Sequence, residues 1–572
     1  MSLSATAPWL KFYGETPATL NYPKKTIYQV IRDTAERFPK NIAYEFMGKQ
    51  TTYAQFLKRI DLTAQSFLAM GIKKGDRVTI CMPNSPQAVD SFYALNRIGA
   101  TSNMIHPLSA AQEIKFYLDF SGSEVILTLD QFYEKVASIQ QELKKPCTIL
   151  VARIQDELPP VLAVGYALTK ARKIPALPKE GNYLRWNDFL AAGRKRKEPL
   201  PKHDGKHTDG ASILYSGGTT GTTKGILLSN MNFNALGTQT IAASGFAPID
   251  GMKMLSVMPV FHGFGLGIGI HTALMGGATC ILVPQFNVNT YADLLIKKRP
   301  NIIPGVPTLF EALLRAEKLE NADLSFLKGV FSGGDSLSVE LKKKVDDFLT
   351  AHKASVQIRQ GYGLTECVTA SCLTPKDYNR VGSIGVPFPD TFYKICKPGT
   401  EEELEANVEG EICLTGPTIM VKYVDNPEET ANTLRRHSDN RIWLHTGDLG
   451  KMDEDGFIYF AQRMKRMIIT SGYNVYPGQL ENIIDGHEKV LLSCVIGVKD
   501  AYKGQKIKAF VVLRPGYEPG EAVKQEILDY CRQHIAKYAM PYDMEFRAEL
   551  PKTLVGKVAY RVLEEEEAER NA

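Results

Sequence analysis

The sequence predicts an α/β protein in two parts. Residues 1–462 form a large N-terminal α/β domain with layered, mostly parallel sheets, and residues 463–572 form a small C-terminal α+β domain. Three observations carry this. Apolar strands alternate with amphipathic helices from the start of the chain to about residue 130, as in parallel sheets covered on both faces. The same pattern resumes from Ala211 to about Gln462, broken by glycine-rich turns. A chain of 572 residues is also too long for one core, and its final stretch follows a different pattern.

Each element has a local reason. Thr26 with Gln29 makes a capping box, and Ile27, Val30, Ile31 and Phe38 follow at helical spacing. Ile42 to Met47 reads as a strand, and a helix from about Tyr53 to Met70 stops at Gly71. Val78 to Cys81 is a short buried strand, and Gln87 to Ile98 is helical. From about Val151 to Lys206 the chain is irregular and rich in Pro, Lys and Arg. That stretch reads as a solvated surface excursion, or else as a basic amphipathic piece suited to an anionic membrane surface. Near the end, strands at Leu491–Val498 and Ile507–Leu513, a helix from Ala522 to about Tyr538 and an acidic run from Glu564 to Glu569 complete the small domain. The acidic run reads as a solvated helix face.

Composition excludes several classes. A net charge of +5 on this length gives no concentrated basic surface, so nucleic acid is not an expected partner. No apolar run approaches the roughly 18 residues needed to span a bilayer, although peripheral membrane contact stays open. The N-terminus lacks a basic start followed by an apolar stretch, so no secretory signal is expected. Nine cysteines lie scattered without CxxC pairs, which fits idle thiols in a reducing, cytoplasmic setting.

The strongest motif runs from Tyr215 to Gly225. Ile213 and Leu214 end an apolar strand, and Ser216, Gly217, Gly218, Thr219, Thr220, Gly221, Thr222, Thr223 and Lys224 project from it. Glycines let backbone N–H groups close on an anion, while hydroxyls and one ammonium add donors for phosphate oxygens. It is not a Walker A loop, because Lys224 sits between Thr223 and Gly225. The loop resembles the phosphate loop of the acyl-adenylate-forming superfamily, which includes acyl-CoA synthetases, adenylation domains and luciferases. Segments in that superfamily's order run from Thr52 to Lys557, and the chain looks most like the bacterial fatty-acid–CoA ligases. Thr223 departs from the usual proline, trading rigidity for a hydroxyl.

The resemblance assigns further roles. Gly361, Tyr362, Gly363, Thr365 and Glu366 match the second nucleotide motif. Tyr362 offers a flat face to adenine, Thr365 a donor to the α-phosphate, and Glu366 a hard oxygen ligand for the Mg2+ that accompanies ATP. Ser332 with Gly333, Gly334 and Asp335 resembles the turn along adenine, and Asp448 is placed to accept from the ribose hydroxyls. Arg463 is expected near the ribose, Lys465 at the hinge, and Gly472 and Tyr473 in the loop that serves the thiol step. Lys557 matches the catalytic lysine of the small, mobile domain, with Val555 where a small polar residue is common. Phe261, His262, Gly263 and Gly265 resemble the wall of the acyl pocket, where His262 either gates the carboxylate or packs as a core histidine. The alternation of Gly263, Gly265, Gly267 and Gly269 suggests unfilled volume beside the backbone, suited to an elongated tail.

The implied reaction has two steps. A carboxylate attacks MgATP and releases pyrophosphate, and the acyl-adenylate then passes its acyl group to the thiol of coenzyme A with loss of AMP. The expected substrates are medium- or long-chain fatty acids. An aryl-acid–CoA ligase and an acyl-AMP ligase loading a carrier protein are the alternatives. A non-catalytic acyl-nucleotide sensor would need a damaged constellation, whereas Lys224, Glu366, Asp448, Arg463 and Lys557 are all present.

Overall fold

The computed structural model describes residues 3–169, 171–216, 223–466, 468–470, 473–475, 477–500, 503–553 and 558–570, with backbone alone at 288, 289, 462, 465, 469, 473, 474 and 538. Two large sheets dominate. One has nine strands, ordered Val386–Pro387, Cys372–Leu373, Ile358–Tyr362, Gly329–Ser332, Ile302–Gly305, Lys253–Ser256, Thr279–Leu282, Ile42–Phe46 and Lys49–Thr52. The other has eight, ordered Lys422–Tyr423, Lys224–Ser229, Gly210–Ser216, Thr101–Met104, Arg77–Cys81, Val125–Leu129, Thr148–Ala152 and Tyr183–Arg185. Both are parallel through their centres; the nine-stranded sheet is antiparallel at both edges, and the eight-stranded one only at the edge that carries Lys422–Tyr423 and Lys224–Ser229.

The sheets form because their strands are apolar on both faces and the helices between them carry one apolar stripe. Helix Ile27–Arg37 starts on Thr26, whose hydroxyl accepts from the Gln29 N–H while Gln29 returns the bond, as the capping box predicts. Helix Tyr53–Ala69 ends before Gly71, whose φ of +89° suits only a residue without a side chain.

A third, five-stranded sheet is antiparallel, with Phe392–Cys396, Gly410–Thr415, Ile442–Met452 and Leu434–Arg436 in order and Ile458–Arg463 paired to Ile442–Met452. The small domain has its own five-stranded sheet, built on the long hairpin Val490–Asp500 and Gly504–Leu513. It also has its own apolar cluster, including Ile484, Val495, Ile507 and Ile527. It leans on the large domain where helix Pro477–Asp485 meets helix Val339–Ala351.

Four expectations are corrected. The second half of the 151–206 excursion is packed: Tyr183–Arg185 is the edge strand of the eight-stranded sheet, Phe189 is buried against Phe67 of helix Tyr53–Ala69, and Trp186 is buried against Phe189. Burying two such aromatics is worth about 1.5–3 kcal/mol each, which outweighs the charge around them. The acidic run is not all solvated, since Glu567 is buried and accepts from Lys508 Nζ at 2.7 Å, and Glu566 pairs with Arg547. Helix Glu521–His534 stops short of Tyr538, and the chain re-forms as a 3-10 turn at Lys537–Ala539. The alternating glycines do not form one open face, because Phe264–Thr272 is a π-helix: Gly263, Gly265 and Gly267 are closely approached by other atoms, and only Gly269 has room for a methyl group.

Candidate functional site

The phosphate-loop hairpin is anchored at both ends. Strand Gly210–Ser216 pairs antiparallel with Lys224–Ser229, so Ser216 faces Lys224 across the hairpin. Gly217, Gly218, Thr219, Thr220, Gly221 and Thr222 lie outside the described residues. Tyr215 donates to Asn103 Oδ1 at 2.6 Å, which ties the outgoing strand to its neighbour.

Lys224 leads into a chain of contacts. Its ammonium pairs with Glu429 and lies 4.9 Å from the centre of the Tyr423 ring. Tyr423 donates its hydroxyl to Glu366 Oε1 at 2.7 Å. Burial pushes the Tyr423 phenol upward and the Glu366 carboxylate pushes it further, so Tyr423 remains a donor. The loop's exit and the expected Mg2+ ligand are thereby joined through one tyrosine. Glu366 is almost wholly buried, yet only one carboxylate oxygen is engaged by that hydroxyl. A buried carboxylate joined to the loop's exit fits the expected Mg2+ arriving with ATP, because such an ion takes few protein ligands and several phosphate oxygens.

A second node holds the expected ribose partners. Asp448 stands directly opposite Arg463 on the hairpin of Ile442–Met452 and Ile458–Arg463, with Arg463 Nε 3.4 Å from Asp448 Oδ1. Tyr362 donates to Asp448 Oδ2 at 2.6 Å, and its ring lies 5.8 Å from that of Phe460. Burial and the Asp448 charge hold the Tyr362 phenol well above its ordinary range. Behind this node Glu411 accepts from the Gly447 N–H at 3.1 Å and bonds His445 Nδ1 at 2.9 Å. Burial alone would raise the Glu411 carboxyl, but the His445 bond and charge and the Gly447 N–H together hold it below the usual carboxylate value. Gly447 has φ of +70°. Glu411 therefore fixes the turn that presents Asp448.

The acyl segment abuts the second nucleotide motif. A Cβ on Gly263 would lie 1.6 Å from the Val368 carbonyl oxygen, and one on Gly363 would lie 2.0 Å from the Thr369 oxygen. Val368 itself holds φ of +66°, directly after the 3-10 turn Thr365–Cys367. A Cβ on Gly265 would meet the Pro259 oxygen at 2.0 Å. His262 is half-buried, and its Nδ1 accepts from the Phe264 N–H at 3.2 Å, so one ring nitrogen serves the local turn. Phe261 packs on His106, with ring centres 4.2 Å apart.

An apolar cavity of about 690 Å³, counting its mouth, runs beside this segment. Gly333, Gly334 and Gly361 stand at one part of its wall, and Phe246, Ile249, Met254, Ile302, Phe331 and Phe388 are among the apolar side chains of the rest. Among the described residues, no charged one lines it. Gly334 has φ of +81°, and Asp335 closes the same turn by accepting from the Ser336 N–H at 2.9 Å.

The linker separates two differently held arginines. Lys465 lies in the 3-10 turn Met464–Arg466 between the hairpin and the small domain. Arg466 forms a two-pronged pair with Glu481 and packs 4.8 Å from the Tyr560 ring. Tyr473 lies on the strand Tyr473–Val475, whereas Gly472 and Lys557 fall outside the described residues.

Sequence reasoning missed Tyr423, Glu429 and Glu411. Their partners lie 57, 205 and 34 residues away, so no local spacing marks them. Among the described residues one cluster has metal-ligand spacing, Glu411, Cys413 and His445, and it lies behind the Asp448 turn.

These features define a class: a two-domain α/β enzyme with residues of two expected nucleotide motifs on the wall of an apolar cavity and a small domain joined by a short linker. The chain belongs to the AMP-binding enzyme family, whose model matches residues 31–424, while the AMP-binding enzyme C-terminal domain matches residues 479–557. It is 36% identical over 576 residues to a long-chain-fatty-acid–CoA ligase of Bacillus subtilis (strain 168), covering 100% of both chains. It is 30% identical over 575 residues to the enzyme of the same name from Yersinia pestis, covering 98% of each. The ATP-bound structure of MatB from Rhodopseudomonas palustris is similar in fold at a TM-score of 0.80 and 26% identity, covering 95% of this chain and 99% of that one.

Proposed function

We propose that the protein is an ATP-dependent, AMP-forming acid–CoA ligase that acts on medium- or long-chain fatty acids through an acyl-adenylate. The observation that carries this reading is the cavity without a charged wall, which reaches the glycines of two nucleotide motifs. An amino-acid substrate would bring an ammonium that needs a buried carboxylate partner, and among the described residues none lines the cavity. An alkyl tail needs only apolar surface. Its burial is worth about 0.8 kcal/mol per methylene.

Each side chain then has a task. Ser216 and Lys224 border the loop that holds the phosphates, and Thr365 donates toward the α-phosphate. Asp448 and Arg463 hold the ribose, with Tyr362 fixing the Asp448 carboxylate and offering its face to adenine. Glu366 takes the Mg2+ that accompanies ATP, and bound there the ion neutralises phosphate charge. Lys557 meets charge developing between carboxylate and α-phosphate during adenylation. Rotation about Lys465 would then withdraw it and bring the Gly472 and Tyr473 segment to the thiol of coenzyme A. The substrates are small molecules, and nucleic acid has no place in this reading. Nine buried, unpaired cysteines support a reducing compartment such as the cytoplasm.

The test is pyrophosphate release with coenzyme A across a panel of fatty, aryl and amino acids. Turnover should rise with alkyl length until the cavity is filled. A preference for amino or short polar acids would overturn the assignment.

A further inference from the structure

Helix Pro160–Leu168 is apolar on the wrong side. Ala163 and Tyr166 turn inward and pack on the main core, while Val161, Leu162, Val164 and Leu168 are exposed at 84%, 48%, 61% and 56%. None of the nine residues is charged, and none is buried. Other exposed aliphatics in the chain are mostly scattered singly, as on any protein surface. Four on one short helix make a contiguous patch, which calls for an occupant.

The charge around the patch points to that occupant. Residues 158–179 contain no Asp or Glu but carry Lys170, Arg172, Lys173 and Lys179. Arg172 and Lys173 are exposed in the 3-10 turn Ala171–Lys173, which touches the helix. The acidic residues that precede the helix are already paired, Asp156 with Arg153 and Glu157 with Arg59 and Lys49. An apolar helix followed by cations, with Glu180 the first exposed carboxylate after them, fits a surface that is oily inside and negative at its rim. We propose that helix Pro160–Leu168 and the basic turn after it dock the protein on an anionic lipid bilayer, with the four aliphatics entering the headgroup boundary and Arg172 and Lys173 meeting lipid phosphates. The helix is too short to span a membrane, so the contact is peripheral and reversible. A second copy of the chain is disfavoured as occupant, because two such faces would bring their basic turns together. The inference does not depend on which acid is activated.

The full chain is sedimented with vesicles of phosphatidylcholine alone and of phosphatidylcholine with phosphatidylglycerol. It should pellet with the anionic vesicles and much less with the neutral ones, and added salt should release it. The variant V161S/V164S/L168S should lose at least tenfold in partitioning. R172Q/K173Q should lose the preference for anionic lipid, about fivefold per charge. Both variants should keep wild-type circular dichroism and wild-type pyrophosphate release with a short, water-soluble acid. Absence of pelleting with either vesicle would overturn the proposal, as would pelleting that the triple variant retains. Concentration-dependent dimers dissolved by the triple variant would assign the patch to a second copy instead. Since binding is read without turnover, its failure is separable from failure of the ligase reading.

Discussion

The two halves of the candidate site are held in opposite ways. In the large domain, Lys224, Tyr423 and Glu366 form one chain of contacts and Tyr362, Asp448 and Arg463 another, all on strands except Glu366, which sits in the 3-10 turn Thr365–Cys367. The small domain ties its linker to itself, with Arg466 clamped by Glu481 and stacked on Tyr560. Arg463 and Arg466 show the contrast within one turn of chain. The first is nearly half exposed and leans on Asp448, and the second is largely buried and belongs to the small domain. In the proposed two-step reaction, the large-domain contacts would stay fixed while the small domain moved as a unit, with Lys465 the residue between the anchors.

The largest test of that contrast is Lys557→Ala. Removing its ammonium should cut pyrophosphate release by about a hundredfold to a thousandfold, some 3–4 kcal/mol, while supplied acyl-AMP is still converted to thioester. Equal loss of both steps would mean that the small domain does not divide the reaction. Next comes the pair of arginines. Arg466→Ala strands Glu481 in a mostly buried setting and should cost roughly 3 kcal/mol of small-domain stability, seen as an earlier thermal transition. Arg463→Ala removes a nearly half-exposed guanidinium from a buried carboxylate that Tyr362 still hydrogen-bonds, so it should cost less, about 1 kcal/mol, yet it should raise the KM for ATP.

Two smaller effects sharpen the picture. Lys465→Pro should slow the thiol step and leave adenylation near normal in single-turnover assays, and an unaffected second step would remove the hinge from the linker. Tyr423→Phe removes a hydroxyl from Glu366 and should raise the Mg2+ requirement about tenfold, as loss of a partner behind a metal ligand does. Glu366→Ala should do the same more strongly.

The smallest effect concerns pH. Glu411 is held below its ordinary value, so its contribution to stability is complete above about pH 4.3, its unfolded value, and is lost as pH falls through its folded value. Glu411→Gln should therefore unfold more easily than wild type at neutral pH. The difference should close in acid denaturation.

The legible parts of the molecule are those written in short spacings. The Thr26–Gln29 box, the stop before Gly71 and the hairpin ending at Arg463 all follow from neighbours in sequence. The nucleotide motifs were legible as residue types but not as contacts. That Tyr362 would fix Asp448, or that Tyr423 would reach Glu366, depends on strands 86 and 57 residues apart. The acidic run misled for the same reason: Lys508, which buries Glu567, comes from a strand 59 residues earlier. The alternating glycines mislead by geometry, since a two-residue spacing puts them on one side of an extended chain and the segment coils into a π-helix.

The contact between Gly263 and the Val368 carbonyl has a consequence for descent. Two segments a hundred positions apart share a space too small for a methyl group, so neither can drift alone. A chimera that exchanged the acyl segment between distant relatives would succeed only if the strand and turn around Val368 crossed over with it. Substrate range in such a lineage would change by exchange of paired blocks, and single replacements at this seam would be purged.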